Sequence, residues 1–325
     1  MLLSTGALLS VFALAMPPDT GAVLYRAWCS SCHGADGRGV SAAMTRLEVP
    51  AADLAACAIS SAEPEENWIR IVRDGGAAVG LSMDMPSFGE NATREQIAAI
   101  VRYTRSLCAE RGWPPGELNF PRAFFAEKAF PENEVVVVAH DREQELLYER
   151  RIGKRFQVEG AVRSVFDGGS VFGGVSAGAK YNVFHDLARG LIASIGVEVV
   201  PPVGRQDELE VEPFVAFGAS PGTGFVVQGE VLATVEDGFN GVTVNTGLGM
   251  AVNDRFVPML EASWTVPRTG GQLVSLAPQI WIRLSRLGHV AGSVGLDIPV
   301  RGPGSPRLAA FVLWDFGDGA INRGW

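Results

Sequence analysis

Cys29-Ser30-Ser31-Cys32-His33 carries the clearest chemistry in this chain. C-x-x-C-H is the covalent attachment pattern of a c-type haem. Two thiols three positions apart reach the two vinyl groups of one porphyrin and form thioether bonds with it. The next residue, His33, then stands under the iron as the proximal imidazole ligand. Two other readings compete: a redox disulfide, and half of a zinc site. Zinc would want a second Cys/His pair at ligand spacing, and Cys57 and Cys108 stand far apart and alone. A redox CxxC of the thioredoxin kind would sit in a βαβ pattern, whereas the flanks here have a helical pattern.

A haem of this kind takes a second axial ligand, and a thioether opposite histidine raises the reduction potential. Ser82-Met83-Asp84-Met85-Pro86-Ser87-Phe88 offers two. Met85 is the expected ligand and Met83 the alternative. Pro86 pushes Met85 out of the α region, so the segment is held extended. An extended strap can lie across a haem face. Methionine as core filler is the competing use of either residue.

These motifs stand in an order that resembles a class I mono-haem cytochrome c, over residues 19–110. Gly21, Tyr25 and Trp28 lie on a helix leading into the CSSCH motif, and Gly34 follows the histidine. Trp68 to Arg73 reads as a middle helix stopped by Gly75-Gly76. A closing helix runs from about Thr93 to Cys108, opened by a capping box of Thr93 and Gln96. Ile97, Ile100, Val101, Thr104 and Cys108 give it an apolar stripe at helical spacing. The resemblance implies an all-α fold, one covalent haem c held by Cys29, Cys32, His33 and Met85, and electron transfer. It also implies that the first and last helices cross, with Gly21 or Tyr25 against Tyr103.

In that family the haem is attached outside the cytoplasm, so export is expected. Leu2 to Met16 is an apolar run of signal-peptide length, and Ala13-Leu14-Ala15 is an A-x-A cleavage site. Residues 1–15 are therefore read as a signal peptide, although no Lys or Arg precedes Arg26. An uncleaved anchor is the alternative, but the run is short against the roughly 20 residues of a helical span. Haem consumes two of the 4 cysteines. Cys57 and Cys108 remain as an even pair in an exported chain, and a disulfide between them is the economical expectation. Two buried thiols are the alternative.

Composition changes near residue 112. Residues 16–112 form the cytochrome c domain, and Gly112-Trp113-Pro114-Pro115-Gly116 breaks the last helix. Residues 113–134 read as a linker that packs on its neighbours through Phe120, Phe124, Phe125 and Phe130. Residues 135–325 have period two. Phe225, Val227, Val231 and Val235 share one face, with Gln228, Glu230 and Thr234 on the other. Val294, Leu296 and Ile298 alternate with Ser293, Gly295 and Asp297. Turn signals such as Ser220-Pro221-Gly222, Asp237-Gly238 and Arg268-Thr269-Gly270-Gly271 separate the runs. About ten to twelve strands follow, at a spacing of about 15–18 residues.

Alternation does not say which face is inside. A soluble β-sandwich buries its apolar face; a transmembrane barrel turns it to lipid. The runs match the roughly 9–11 residues of a tilted membrane strand rather than the usual 5–6 or so. Only 19% of the chain is charged. The segment resembles small outer-membrane β-barrels of transporter or porin type, ending on Trp314-Asp315-Phe316 and Trp325. The expected fold is thus an all-α cytochrome c domain followed by an antiparallel barrel with a wet or hydrogen-bonded lumen, the soluble sandwich being the alternative. The haem domain is expected at the periplasmic mouth, not inside.

His140, His185 and His289 share no ligand spacing and read as structural or interfacial. The basic cluster Arg150, Arg151, Lys154 and Arg155 reads as a solvated turn, or else as a dock for an acidic redox partner. A net charge of −9 argues against nucleic acid. The function expected is electron transfer at the outer membrane, not an enzymatic activity, with redox proteins or small redox molecules as partners. The alternatives are a periplasmic donor or acceptor subunit with a soluble β domain, and a redox-sensing transport barrel. A haem oxidase or peroxidase would need an iron position that Met85, as ligand, closes.

Overall fold

The computed structural model of the protein describes residues 20–166, 170–222 and 224–317. The expected signal peptide, residues 1–15, and Trp325 lie outside them.

The helical region holds α1 (Thr20–Trp28), α2 (Ser30–His33), α3 (Ala42–Thr45), α4 (Cys57–Ala62), α5 (Glu65–Asp74), α6 (Gly76–Val79) and α7 (Arg94–Ser106). The capping box that opens α7 forms as its sequence implies: Gln96 N donates to Thr93 Oγ1 and Thr93 N to Gln96 Oε1. The apolar stripe of α7 is buried at Ile97, Ile100, Val101 and Thr104. It packs against Tyr25 of α1 and against Trp68, Ile69 and Val72 of α5. α1 crosses α7 at Gly21, where a Cβ would stand 2.2 Å from the carbonyl oxygen of Ala99. One turn on, Tyr25 and Tyr103 meet with ring centroids 5.2 Å apart. A disulfide joins Cys57 at the start of α4 to Cys108 just past α7, Cα to Cα 5.0 Å.

Twelve strands follow: β1 (Glu134–His140), β2 (Glu143–Ile152), β3 (Phe156–Phe166), β4 (Ser170–Asp186), β5 (Leu191–Val200), β6 (Glu210–Gly222), β7 (Phe225–Glu236), β8 (Phe239–Met250), β9 (Phe256–Pro267), β10 (Leu273–Arg283), β11 (Val290–Arg301) and β12 (Arg307–Asp315). Each pairs antiparallel with its sequence neighbours, and β1 pairs with β12 from Glu134↔Asp315 to His140↔Ala309. The sheet is a closed barrel, so the sandwich alternative falls. Closure leaves no unpaired edge.

The two faces sort as the alternation implies. In β7, Phe225 and Val231 are exposed while Gln228 and Glu230 are 3% and 4% exposed. Every strand presents at least one large apolar side chain outward, among them Val137, Leu146, Leu260, Ile280, Val294 and Val312. No helix among the described residues is long and apolar enough to cross a membrane.

Of the wet and the hydrogen-bonded lumen that the strand pattern allowed, the structure has the hydrogen-bonded one, and the partner is a segment read as a linker. Residues 113–134, read as a linker, enter the barrel and occupy it. The chain turns in through a 3-10 helix, Gly116–Leu118, and Phe120 packs with Ile192 and Phe214. Pro121 accepts a hydrogen bond from Gln228 (2.7 Å). Phe124, Phe125 and Ala126 reach mid-barrel, where their backbone N–H groups donate to the Glu261 carboxylate at 2.6, 2.9 and 3.4 Å. Asn245 donates to the Phe125 carbonyl (3.0 Å). On the way back Lys180 donates to Glu127 and to the Lys128 carbonyl (2.7 Å), and Ser194 to the Ala129 carbonyl. Gln157 accepts from Glu132 N (2.6 Å), and β1 begins two residues later. The segment is thus a loop that enters and leaves by one mouth. Phenylalanines at 120, 124, 125 and 130 signalled packing; that the packing partner is the lumen depends on strand closure, which local sequence does not carry.

The helical region sits on that same mouth. Arg70 pairs with Asp254 (2.9 Å) and donates to the Arg286 carbonyl; Asn67 donates to the Leu287 carbonyl. His289 meets Glu63 (2.9 Å), an interfacial role in keeping with its isolation in sequence. The basic cluster is neither a plain solvated turn nor a free dock. Arg151 donates to the Ala58 carbonyl, Arg155 to that of Gly112, and Lys154 to that of Arg111, so this turn clamps the helical region to the barrel.

Two outcomes test this packing. Gly21→Val should cost the helical region about 3 kcal/mol or more, since a backbone carbonyl cannot step aside for a side chain; thermal loss of the helical circular-dichroism signal measures it. Glu117 joins the helical region to the lumen segment. Burial is the largest single effect and works to raise its pKa, but the hydrogen bond and charge of Arg105 together with backbone N–H donors such as that of Glu65 outweigh it and leave the carboxyl below its ordinary value. A carboxylate with a lowered folded pKa stabilises above its unfolded pKa, and that contribution is lost as pH falls through the folded value. Glu117→Gln should therefore flatten the acid side of the stability–pH curve.

Candidate functional site

The CSSCH residues lie on one continuous turn of chain. α1 runs into Cys29, whose N–H donates to the Tyr25 carbonyl (2.8 Å), and α2 carries Cys32 and His33. Gly34 ends that helix at φ 75°, and its carbonyl accepts from the Tyr25 hydroxyl (2.9 Å). The buried tyrosine of the α1–α7 crossing thus also holds the exit of the CxxCH turn. Burial pushes the Tyr25 hydroxyl up to about 12, so it donates as a neutral phenol.

The two thiols are free and half-buried, while Cys57 and Cys108 are paired with each other. Burial, and then the neighbouring Cys32, push the Cys29 thiol up to about 11. A redox or nucleophilic cysteine needs the opposite, a lowered pKa that yields thiolate. His33 Nδ1 lies 3.3 Å from the carbonyl oxygen of Ala52, and burial lowers the imidazole pKa. Nδ1–H donating to that carbonyl leaves Nε2 unprotonated with its lone pair outward, as a metal-ligating histidine requires. Ala52 is a partner that no motif in the sequence marks.

The strap from Leu81 to Ser87 folds back on α5 and α6. Gly76 N–H donates to the Met85 carbonyl (3.0 Å), Phe88 N–H to that of Val72 (3.0 Å), and Ser87 Oγ to that of Arg73 (2.7 Å). Gly75, at φ 80°, and Gly76 leave room for this: a Cβ on Gly76 would lie 2.2 Å from the Ser82 carbonyl oxygen. Met85 is half-buried at the edge of the α1–α5–α7 core, which Cys29 also borders, whereas Met83 is 86% exposed. Trp28 and Phe88 stack with centroids 5.9 Å apart, tying the CxxCH end of α1 to the strap. That stack joins residues 60 positions apart, and only the resemblance, not local pattern, brings its two halves into one site.

This donor set suits a covalently held haem. Two thiols are kept out of the disulfide, an imidazole is oriented by a backbone carbonyl, and a partly buried thioether is carried on an anchored strap.

A comparison with protein families matches residues 17–103 to the family described as Cytochrome C oxidase, cbb3-type, subunit III. No curated protein matches the chain. Among solved structures the barrel is similar to the KdgM porin, at 11% identity and a TM-score of 0.45 over 56% of this chain and 98% of that one. It is also similar to the NanC porin, at 8% identity and a TM-score of 0.44 over 56% and 98%. An outer membrane channel from Pseudomonas putida F1 matches at 11% identity and a TM-score of 0.43 over 61% and 100%. The chain carries a cytochrome c domain of the cbb3 subunit III type at residues 17–103, and a closed twelve-strand antiparallel β-barrel follows it.

Proposed function

We propose that this protein transfers electrons at the outer membrane, through one haem c held on a domain docked at the periplasmic mouth of its own barrel. The observation that carries the reading is the hydrogen-bonded seating of a CxxCH domain on a barrel that turns large apolar side chains outward from every strand. Cys29 and Cys32 would form the thioethers, and His33 and Met85 would ligate the iron. When bound, the haem supplies a one-electron Fe(II)/Fe(III) couple. The chain's own residues hold its surroundings still. The Ala52 carbonyl fixes the His33 ring, Gly75-Gly76 and Arg73 hold the strap, and the Trp28–Phe88 stack joins the two sides. Such packing limits rearrangement when the iron changes charge.

The outward apolar residues support membrane insertion, because an uncovered surface of this extent is unfavourable in water. The placement on the periplasmic side rests on topology. β1 begins and β12 ends at the mouth that the haem domain covers. A folded haem domain that precedes the first strand stays on the side from which the barrel inserts.

Four measurements test the proposal. Cys29→Ala with Cys32→Ala should abolish haem staining on a denaturing gel; unchanged staining would sink the assignment. Met85→Ala should remove the weak near-infrared sulfur–iron band of the ferric protein and open the iron to carbon monoxide, with Met83→Ala silent. Val231→Arg, at an outward mid-strand position, should cost about 2–4 kcal/mol of barrel stability in lipid, read from urea titrations of the vesicle-inserted protein. Recovery of folded residues 113–325 as a detergent-free soluble monomer would overturn the membrane placement.

A further inference from the structure

The lumen segment does more than tether. It is bonded to, or shares a buried cluster with, residues of all twelve strands. β2 is reached through Arg122 to Glu149, β3, β4 and β5 through Gln157, Lys180 and Ser194, and β7, β8 and β9 through Gln228, Asn245 and Glu261. Phe214 of β6 packs with Phe120 and Phe130. Ala123 and Ala126 lie in one cluster with Val136 of β1, Trp281 of β10, Ala291 of β11 and Phe311 of β12.

The key contact is Glu261. It is fully buried, and it receives three successive backbone N–H groups from the innermost turn of the loop. Gln279 donates to the same carboxylate from β10. A carboxylate facing three N–H donors holds that turn as a helix-like N-terminus is held, by several charge-assisted bonds at once. Beside the turn, between the loop and strands β1–β7 and β12, lies a cavity of about 250 Å³. Its wall carries Glu145, Glu159, Glu198, Glu212 and Glu230, and the cationic lining residue, Arg122, belongs to the loop rather than to the wall.

We propose that residues 119–133 are a resident plug that closes the barrel to ions, and that withdrawing them from Glu261 opens a passage selective for small cations. The wall charge sets the selectivity: strand-borne carboxylates outnumber the strand-borne cations along the path, where Lys180 pairs with Glu127 of the loop and Arg163 with Glu145. Rings of Asp and Glu favour cations by the ordinary electrostatics of a narrow low-dielectric pore. The haem domain, seated over the same mouth, holds the loop's entry through Arg105–Glu117, and β2 holds its exit through the Arg151 N–H donating to Asn133 (3.0 Å). The proposal rests on the barrel lying in a membrane.

The test uses the full-length haem-loaded protein in vesicles holding a potassium chloride gradient. Flotation with the vesicles, and a gel mobility that changes on heating, establish insertion first; a protein that does not float overturns the membrane reading, which is a separate failure. Wild type should retain the gradient. A chain with residues 120–132 replaced by glycine and serine at equal length should leak, with a reversal potential on the potassium side. Glu261→Ala should leak in the same sense, and Glu261→Gln, which keeps one acceptor oxygen, should leak less. Wild type that conducts in steps like the glycine–serine chain would overturn the proposal. So would an inserted glycine–serine chain as tight as wild type, or a leak that prefers chloride. If the glycine–serine chain fails to insert, the Glu261 variants decide: an inserted Glu261→Ala protein that leaks potassium supports the proposal, and one as tight as wild type overturns it.

Discussion

A closed sheet that turns its apolar side chains outward has no choice about its inside. Every second residue points into a lumen, and the polar ones among them need partners. Water can serve in a wide barrel, but twelve strands enclose a narrower space than the open 16–18-strand porins do. Here a stretch of backbone serves instead. Glu261, Asn245, Lys180, Ser194, Gln157 and Gln228 would be costly groups to bury unpaired, at about 1–3 kcal/mol each. Each is paired with a backbone or side-chain group of residues 121–132. The order of the lumen, the anchoring of the first strand and the seating of the haem domain all follow from that exchange.

The two halves of the chain use polar groups in opposite ways. In the cytochrome domain the buried interior is apolar, and polar contacts are spent at its rim: the Tyr25 hydroxyl on Gly34, Ser87 on Arg73, Ala52 on His33. In the barrel the interior mixes two apolar clusters with many buried polar groups, and the outer face is apolar. The interface between them is made mostly of side chains donating to backbone carbonyls, at Ala58, Arg111, Gly112, Arg286 and Leu287. Carbonyl acceptors do not depend on residue identity, so such an interface is fixed by shape and by a few long cationic side chains.

Much of this could be read before any coordinates. The CSSCH motif, the Thr93–Gln96 box, the stripe on α7 and the outward set Phe225, Val231 and Val294 are local patterns. Local patterns survive folding because their period is set by the backbone. The α1–α7 crossing at Gly21 came through resemblance and is present. What stayed hidden depends on distant residues meeting. Arg151, Lys154 and Arg155 look like an ordinary charged turn until the carbonyls of the haem domain are placed beside them. Residues 113–134 look like a linker because prolines and scattered charges suggest one. Glu261 looks like any inward glutamate of a strand, and only its position opposite Phe124 to Ala126 gives it three donors. No spacing rule links positions 135 residues apart.

The path of the lumen segment has a topological consequence. It goes in and comes out by the same mouth, between Gly116 and the start of β1. It is a bight of chain, not a thread drawn through a ring. A thread could be placed only while the cylinder was still open, and it could be removed only by cutting or unravelling something. A bight can be laid into a finished cylinder and lifted out of it with every strand pair intact. Sheet closure and lumen filling are therefore separable events, in either order, and the chain can visit the empty cylinder without ever ceasing to be one.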